Sequence, residues 1–381
     1  MARLSFPGTL LLLAFWLSAC RPVPPASVEV PARPPTATAS DSPTAGIRSA
    51  NSPTPAPTLT RTPPALPGRY QTALLNPLDA PHTYIQAACQ YLYDKWTSGK
   101  SDPGTLVMVI MFHEITDGVV TDPNQISGFN FRLLMKKLHQ NGFQAITTLQ
   151  LDDFLENNSN IPQRSVLLVT DDKHAASYFN VLFRPYWLNY GWPVVNAWIS
   201  DDLTTADNWK LQEELNAEGW VDYQAHGVVS APITRNSTDA YILSELNGPM
   251  DVFQAHFNKM PIAFIWPGGG FTPHAVALAR QSGYRLGFTT NPRGPVMFNW
   301  VPLADTGDPD RATWIPEGPV NDPLMVLPRY WDTDAALHIK DVIQIGQAAA
   351  SYAWANKAAE MKYYASVCSP VYGSIHSSSP P

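Results

Sequence analysis

The chain has 381 residues, carries a formal net charge of -7 at pH 7 and contains no run of basic residues. An acidic chain without a basic cluster lacks the electrostatic footprint of a nucleic-acid binder, so we exclude nucleic acid as a partner and expect neutral or cationic ligands. Its length allows two average domains, or one large α/β domain with appendages.

The first 20 residues are typical of a bacterial secretion signal. Arg3 precedes an apolar stretch at residues 10–16 that is too short to span a bilayer. The sequence Leu-Ser-Ala-Cys that follows, ending at Cys20, resembles a lipobox. It implies cleavage before Cys20, a lipid on its sulfur, and an extracytoplasmic protein that meets a bacterial membrane through this anchor only. An ordinary secretory signal is the alternative.

Residues 21–67 are rich in Pro, Ser, Thr and Ala, and they hold 13 of the 37 prolines. Such a segment cannot bury enough apolar surface to offset its ordering entropy, and its prolines favour extended conformers. We predict a disordered tether between the anchor and a folded region.

Two further cysteines, Cys89 and Cys368, flank nearly all of the remaining chain. In an oxidising compartment they could form a disulfide that joins the ends of the folded region. Two separate buried thiols are the alternative.

Strand-like and helix-like segments alternate from residue 105 onwards, which favours parallel strands with crossover helices in a barrel-like or open α/β fold. The predicted strands are 105–113, 143–147, 165–171, 193–199, 220–226, 261–266 and 284–289. The predicted helices are 131–140, 175–189, 208–217, 239–259, 273–282 and an Ala-rich helix at 334–362, and residues 291–322 are predicted to form an irregular loop.

Polar residues follow several of these strands. Asp171 and Asp172 end the apolar run at 165–170, and the other candidates after strands are His113, His226, Arg329 and the Trp-Pro-Gly-Gly-Gly stretch at 266–270. Each has a structural explanation by itself, such as a solvated strand end, a turn or a core aromatic. Together they predict an active site at the carboxyl rim of the sheet.

These segments, over residues 105–330, resemble the polysaccharide deacetylases, the NodB homology domain of carbohydrate esterase family 4. Residues 107–113 (Val-Met-Val-Ile-Met-Phe-His) look like the first strand of the branch that acts on poly-N-acetylglucosamine. Residues 165–172 (Ser-Val-Leu-Leu-Val-Thr-Asp-Asp) stand where the family has Thr-Phe-Asp-Asp-Gly, and residues 264–270 resemble its Pro-Tyr-Gly loop. The resemblance implies an α/β fold, an irregular or incomplete seven-stranded (β/α) barrel with an added C-terminal helix.

The resemblance also implies a role for each candidate. Asp171 would be the general base, and Asp172 and His226 would be ligands of a divalent metal, usually zinc. His113 would be the general acid and Arg329 would orient Asp171. Residues Trp266, Pro267, Gly268 and Gly269 would form the substrate and oxyanion loop.

Four positions depart from the family pattern, and one of them is Gly268, which stands where the Pro-Tyr-Gly loop has its Tyr. Ser230 stands where the family has its second metal-binding His, and a hydroxyl is a poor zinc ligand. His174 and Asp222 are possible substitutes in the sequence. Lys173 replaces the Gly after the acid pair and would place a cation beside the metal. Ile265 stands where many members have an Arg.

The sequence thus predicts a monomeric, lipid-anchored, metal-dependent hydrolase that removes N-acetyl groups from a polysaccharide of N-acetylated sugars. The expected parts are a signal peptide (1–20), a tether (21–67), an extension (68–104), a catalytic domain (105–330) and a C-terminal helix and tail (331–381). A catalytically inactive glycan-binding lipoprotein is the alternative that Ser230 keeps open. A glycosidase is weaker, because adjacent acids on one strand cannot easily flank a glycosidic bond.

Overall fold

The computed structural model describes residues 63–307 and 315–375 of the chain. The predicted signal peptide, its Cys20 and most of the predicted tether lie outside the described residues. Among those that are described, no helix is both long enough and apolar enough to cross a bilayer.

Strands and helices alternate along the described residues. The strands are β1 Asp79–His82, β2 Leu106–Phe112, β3 Glu114–Thr116, β4 Gln125–Ser127, β5 Gln144–Ala145, β6 Arg164–Thr170, β7 Val194–Trp198, β8 Val221–Ala225, β9 Ala263–Ile265, β10 Leu286–Phe288, β11 Val296–Met297, β12 Val301–Ala304 and β13 Tyr330–Trp331. The α-helices are α1 Ala88–Trp96, α2 Gly128–Gln140, α3 Thr148–Asn157, α4 Ala176–Leu182, α5 Arg184–Tyr190, α6 Ala206–Glu218, α7 Asp239–Phe257, α8 Pro273–Gln281, α9 Asp332–Tyr363 and α10 Ser369–Tyr372. Short 3-10 turns occupy Pro267–Gly269, Gly318–Val320 and Pro323–Met325, and a π-helical turn follows α9 at Tyr364–Cys368.

The main sheet is parallel along its central strands and curls. Its strand order is β10-β9-β8-β7-β6-β2, with β5 paired to β6 and β11 antiparallel to β2. Leu327 bridges Phe288 of β10 in parallel, and four residues later Trp331 of β13 pairs in parallel with Met111 of β2. The chain at 327–331 therefore approaches both edges of the curled sheet. This arrangement confirms the predicted irregular (β/α) barrel with a C-terminal helix.

The two faces of the central strands are buried in different ways. Val107, Val109, Leu167 and Val169 belong to one core cluster with the residues inside the curl, whereas the alternate residues of β2 and β6 pack in a second cluster with the helices. Because side chains alternate with a period of two, position 171 continues the inner row of β6 and position 113 the inner row of β2. The same alternation that builds the core therefore directs both side chains towards the mouth of the barrel.

Several predicted elements differ from the observed ones. The helix predicted at 175–189 is two helices, α4 and α5, because Pro185 occupies the first turn of α5 and cannot continue the hydrogen bonds of a helix that began earlier. The predicted irregular loop at 291–322 contains β11 and β12. The sequence interpretation also missed α1, α3 and β1.

The amino-terminal part of the described chain and the C-terminal helix are joined covalently. Cys89 and Cys368 form a disulfide between residues 279 positions apart, so the disulfide alternative is the one observed. Loop 101–105 also approaches α9 very closely. A Cβ atom on Gly104, whose φ is +85°, would lie 2.3 Å from the carbonyl oxygen of Gly346, so only glycine fits there.

Candidate active site

Asp171 is the most buried of the candidate site carboxylates, and Arg329 holds it. Asp171 is 2% exposed and Arg329 is fully buried. Both Arg329 Nη atoms donate to the two carboxylate oxygens, with Nη2 at 2.8 Å from Oδ2. Arg329 Nε donates to the carbonyl oxygen of Thr289 at 2.7 Å, which fixes the plane of the guanidinium. Such a two-point pair holds the carboxylate in one orientation.

The charge state of Asp171 follows from this pairing. Burial raises the pKa of the carboxyl group, but the charge and hydrogen bonds of Arg329, with His113 and His226 adding to them, outweigh burial. The net pKa of Asp171 is held well below its ordinary value, so the group is a carboxylate at neutral pH.

His113 lies at the end of β2 and faces the same carboxylate. Its Nε2 is 3.7 Å from Asp171 Oδ2, and its side chain is partly exposed. Trp331 stacks on the imidazole ring, with centroids 5.4 Å apart and planes 12° from parallel. The strand pairing explains this contact, because Trp331 is aligned with Met111, two residues before His113. The His113 ring is thus held at the rim of the barrel between a carboxylate and an aromatic face.

The backbone bends at Asp172, directly after Asp171. Its φ is +66°, a left-handed conformation that is uncommon outside glycine. The bend breaks the strand geometry that would otherwise send adjacent side chains to opposite faces of the sheet. It leaves the Asp172 side chain 53% exposed, with Oδ1 at 3.8 Å from His226 Nε2.

The Asp172 and His226 pair has features of a metal-binding pair. His226 Nδ1 donates to the carbonyl oxygen of Ile265 at 2.8 Å, so the tautomer leaves a lone pair on Nε2, the nitrogen that faces Asp172. Both residues therefore present a ligand atom to the same point at the barrel mouth. The described residues contain no group of three His, Cys, Asp or Glu placed to hold a metal. The donor set fits a divalent ion held by two side chains, one fewer than catalytic zinc sites usually have.

The loop that follows His226 is anchored by a residue that the sequence interpretation missed. Glu245 of α7 is 2% exposed, and its carboxylate accepts from the backbone N–H groups of Val228 and Val229 at 2.8 and 3.2 Å. Ser230 follows with a φ of +51°. A polar residue on the buried face of a predicted helix was the available sequence signal for Glu245.

The possible substitutes for the second His are committed to other contacts. Asp222 accepts from the N–H of Thr148 at 3.2 Å and pairs with Lys259 at 3.2 Å. His174 stacks on Tyr178 with ring centroids 3.9 Å apart, and burial lowers its pKa against the opposing effect of Asp172.

Lys173 does not extend towards the Asp172 and His226 pair. Its ammonium forms a salt bridge with Asp201 and donates to Thr204 Oγ1 at 3.2 Å. The cation expected beside the metal is thus balanced by a carboxylate of its own.

The loop at 266–270 forms a tight turn beside the His226 loop. Trp266 is fully buried and its Nε1 donates to Met325 O at 2.8 Å, which makes it a core side chain in this structure. Pro267–Gly269 is a 3-10 turn in which Gly268 has a φ of +56°. The N–H of Gly269 donates to Trp266 O at 2.8 Å. A Cβ on Gly268 would meet Pro232 at 3.0 Å, so the two loops pack closely.

A second buried carboxylate, Asp332, lies near this site and was also missed. It begins α9 directly after Trp331, is 2% exposed, and its Oδ2 has no hydrogen-bond partner among the described residues. Burial, followed by smaller effects that include the charge of Asp171, raises its pKa to about 7. A strand-end acid just beyond the predicted motifs was the only sequence signal for it.

An irregular parallel barrel thus brings an arginine-clamped aspartate, an adjacent aspartate and two histidines together at its carboxyl rim, which is the arrangement expected of a hydrolase-type site. Comparison with known proteins agrees with this class. Residues 158–287 match the family model described as Polysaccharide deacetylase. This segment, about a third of the chain, is therefore similar to the polysaccharide deacetylases.

Individual relatives are distant. A Bacillus subtilis (strain 168) protein provisionally named as the polysaccharide deacetylase YxkH is 22% identical over 195 residues, which cover 51% of this chain and 67% of that protein. The Streptococcus pyogenes deacetylase PplD, solved with acetate, is 18% identical with a TM-score of 0.49, over 64% of this chain and 99% of that one. IcaB from Ammonifex degensii is 16% identical with a TM-score of 0.44, over 66% of this chain and 98% of that one.

Proposed function

We propose that this protein is a metal-dependent hydrolase that removes N-acetyl groups from an extracytoplasmic polysaccharide. The observation that carries the proposal is the convergence of Asp171, Arg329 and His113 with the Asp172 and His226 pair at one barrel rim. The similarity to the polysaccharide deacetylases supports hydrolysis of an amide bond on a polysaccharide. We further propose that a lipid on Cys20 holds the domain at a bacterial membrane, and that the protein acts as a monomer.

Asp171 is the proton acceptor of this proposal. Attack of water on the acetamide carbonyl requires removal of one water proton, and Asp171 is a carboxylate whose orientation Arg329 fixes. Its low pKa keeps it ionised even in weak acid. Because Arg329 occupies both carboxylate oxygens, only their remaining lone pairs can accept the proton, which restricts the position of the attacking water.

His113 is the proton donor. Collapse of the tetrahedral intermediate releases an amine, which must gain a proton as the carbon-nitrogen bond breaks. His113 Nε2 faces the Asp171 carboxylate from 3.7 Å, and the ring is stacked on Trp331. A proton donor at this position can protonate the departing nitrogen, while the base removes a proton from the water.

Asp172 and His226 would hold the divalent ion, with zinc as the first candidate. When bound, such an ion supplies Lewis-acid polarisation of the amide carbonyl. Gly268 and its turn lie beside the His226 loop, where a backbone N–H could bind the developing oxyanion. Fixed donors at that position favour the transition state over the planar amide.

The test is acetate release by the full chain in detergent. Poly-N-acetylglucosamine and N-acetylglucosamine oligomers are incubated with protein reconstituted separately with zinc, cobalt and nickel. We expect acetate release that a chelator abolishes and the metal restores. No acetate with any of these metals and substrates would contradict the proposal, and sugar binding without acetate release would identify a glycan-binding relative instead.

A further inference from the structure

A cavity of about 320 Å³ lies at the end of the barrel opposite the candidate active site. Thr105, which lines the cavity, immediately precedes β2, and His113 immediately follows it. Thr105 and His113 are eight residues apart along an extended strand at about 3.3 Å each, so this edge of the cavity is about 26 Å from the candidate active site. It is therefore a separate site.

The cavity is built by parts of the chain outside the matched family segment. Its walls come from residues 66–70, α1, loop 297–300 and α9, and among the described lining residues only Asn158 falls within 158–287. The disulfide between Cys89 and Cys368 and the ion pair between Lys95 and Glu360 at 2.9 Å connect α1 to the C-terminal segment. These links hold the walls in place before any ligand arrives, which reduces the ordering cost of binding.

Aromatic rings form much of the lining. Tyr91 stacks on Phe298 with centroids 5.8 Å apart and planes 23° from parallel. Tyr70 lies 6.0 Å from Trp300 and 5.8 Å from Tyr352, measured between ring centroids. Flat apolar faces of this kind pack against the C–H faces of sugar rings as well as against other aromatic groups.

The charged residues that line the cavity are two cations, Arg69 and Lys95, and two anions, Asp102 and Glu360. Lys95 and Glu360 pair with each other, and Glu360 also accepts from Trp96 Nε1 at 2.6 Å. Burial raises the pKa of Tyr91, with Lys95 opposing it, so the phenol stays neutral and can both donate and accept a hydrogen bond. Gln86 adds an amide. A neutral ligand that carries donors and acceptors on an otherwise apolar ring suits this lining better than an anion, a cation or a hydrocarbon.

We propose that this cavity is a second carbohydrate-binding site, which takes one or two N-acetylated sugar units. Its volume lies at the lower end of the range for small-molecule sites, about 300–1,000 Å³. The choice of sugar rests on the proposed function. The site holds the polysaccharide at a distance from the active site and raises the local concentration of acetylated units.

The test uses the full chain in detergent with the tetramer of N-acetylglucosamine as the probe, followed by hydrogen exchange. We expect protection of residues 66–70 and 297–300 as well as of the barrel rim. Ala349 lines the cavity on α9, and Ala349→Phe fills it. In this variant, the apparent affinity of the tetramer, measured from protection at 66–70 and 297–300, should be at least tenfold weaker. Ala348→Phe is the matched control, because Ala348 is an exposed neighbour on the same helix and should change nothing.

Activity separates this inference from the proposed function. Ala349→Phe should leave acetate release from the dimer unchanged and lower it severalfold on the long polymer. Protection that persists in Ala349→Phe, or that occurs only at the rim, overturns the second site even if acetate is released. Protection at the cavity without acetate release supports the site and contradicts the hydrolase. If Ala349→Phe does not fold, Tyr91→Phe replaces it, and unchanged protection in that variant would equally count against the site.

Discussion

Arg329 donates two parallel hydrogen bonds to Asp171, although the two residues are 158 positions apart in the chain. Arg329 comes from the segment that approaches both edges of the curled sheet, between the Leu327 bridge to β10 and the pairing of β13 with β2. The position of the guanidinium thus depends on the final stretch of chain that completes the barrel. Arg329 therefore belongs both to the candidate active site and to the segment that completes the barrel.

Replacing this arginine should change both the rate and its pH dependence. Arg329→Lys keeps the charge but loses the two-point geometry, so we expect kcat to fall about 100-fold or more. The pKa of Asp171, now held below its ordinary value, should rise, and the acid limb of the kcat/KM profile should move to higher pH. Arg280→Lys is the control, because Arg280 makes a similar two-point pair with Asp322 away from this site. An acid limb that does not move would contradict the assignment of Asp171 as the base.

Site residues at the ends of long strands could be predicted from the sequence, whereas those placed by tertiary packing could not. Asp171 and His113 could be predicted because each ends a long apolar strand whose alternation continues into it. The role of Arg329 could be expected from the family resemblance only, since the two-residue strand after it has no periodic signal. Asp332 and Glu245 were missed because their importance comes from being buried. Whether one polar residue is buried is decided by tertiary packing, which local sequence patterns do not show.

The secondary-structure elements likewise divide into those that the sequence predicted and those that it did not. The long strands and α9 were predicted from apolar runs and composition. α3 was missed although its capping box of Thr147 and Gln150 was present in the sequence, because the interpretation relied on apolar spacing. The break between α4 and α5 shows the opposite error, in which helical spacing outweighed the signal of Pro185.

Mutations should distinguish the proposed base, Asp171, from the proposed metal ligands, Asp172 and His226. Asp171→Asn should abolish acetate release while leaving zinc affinity within about threefold, because Asp171 is bound to Arg329 and not to the His226 pair. Asp172→Asn and His226→Ala should lower zinc affinity about 100-fold, measured by equilibrium dialysis of the full chain. Loss of zinc in Asp171→Asn with retention in Asp172→Asn would reverse the proposed roles.

Restoring the histidine that the family pattern has at position 230 should strengthen metal binding. Ser230 already has a left-handed backbone, which His tolerates better than most residues. A third ligand brings the donor set to the usual number for catalytic zinc, so we expect Ser230→His to raise zinc affinity at least tenfold. Val229→His places the same side chain on the exposed neighbour and is the control. Equal affinities in both variants would mean that position 230 does not face the metal pair.

The disulfide should contribute to stability far more than to the chemistry at the rim. Cys89 and Cys368 close a loop across 279 positions, and their removal should lower the free energy of unfolding by about 2–5 kcal/mol. The double variant Cys89→Ser with Cys368→Ser should unfold at lower denaturant concentration, and reductant should have no further effect on it. Its acetate release from the dimer at 25 °C should match the parent, because the active site is at the other end of the barrel. A parent protein insensitive to reductant would contradict the pairing.

Asp332 should make stability depend on pH near neutrality. Its folded pKa of about 7 lies above the unfolded value of about 3.9, so the protonated form is the one that the fold favours. The stability that this group contributes is full below pH 4 and is lost as pH rises through 7. Ionisation of Asp332 creates a second negative charge near the carboxylate of Asp171, and Oδ2 of Asp332 has no hydrogen-bond partner among the described residues. The ring of Tyr178 and the exposed carboxylate of Asp334 also face Asp332.

Asp332→Asn removes that ionisation and keeps the shape of the side chain. Because the folded pKa lies about three units above the unfolded one, we expect it to raise the free energy of unfolding by up to about 4 kcal/mol at pH 8 and to have little effect at pH 4, measured by urea denaturation at both values. Asp334→Asn is the matched control, because Asp334 lies in the same first turn of α9 and is exposed. Its effect should be small at pH 8, limited to the loss of a favourable charge at a helix amino terminus. An Asp332→Asn variant that is destabilised at pH 8 would show instead that the ionised carboxylate is satisfied in the folded protein, and it would overturn the assignment of a raised pKa.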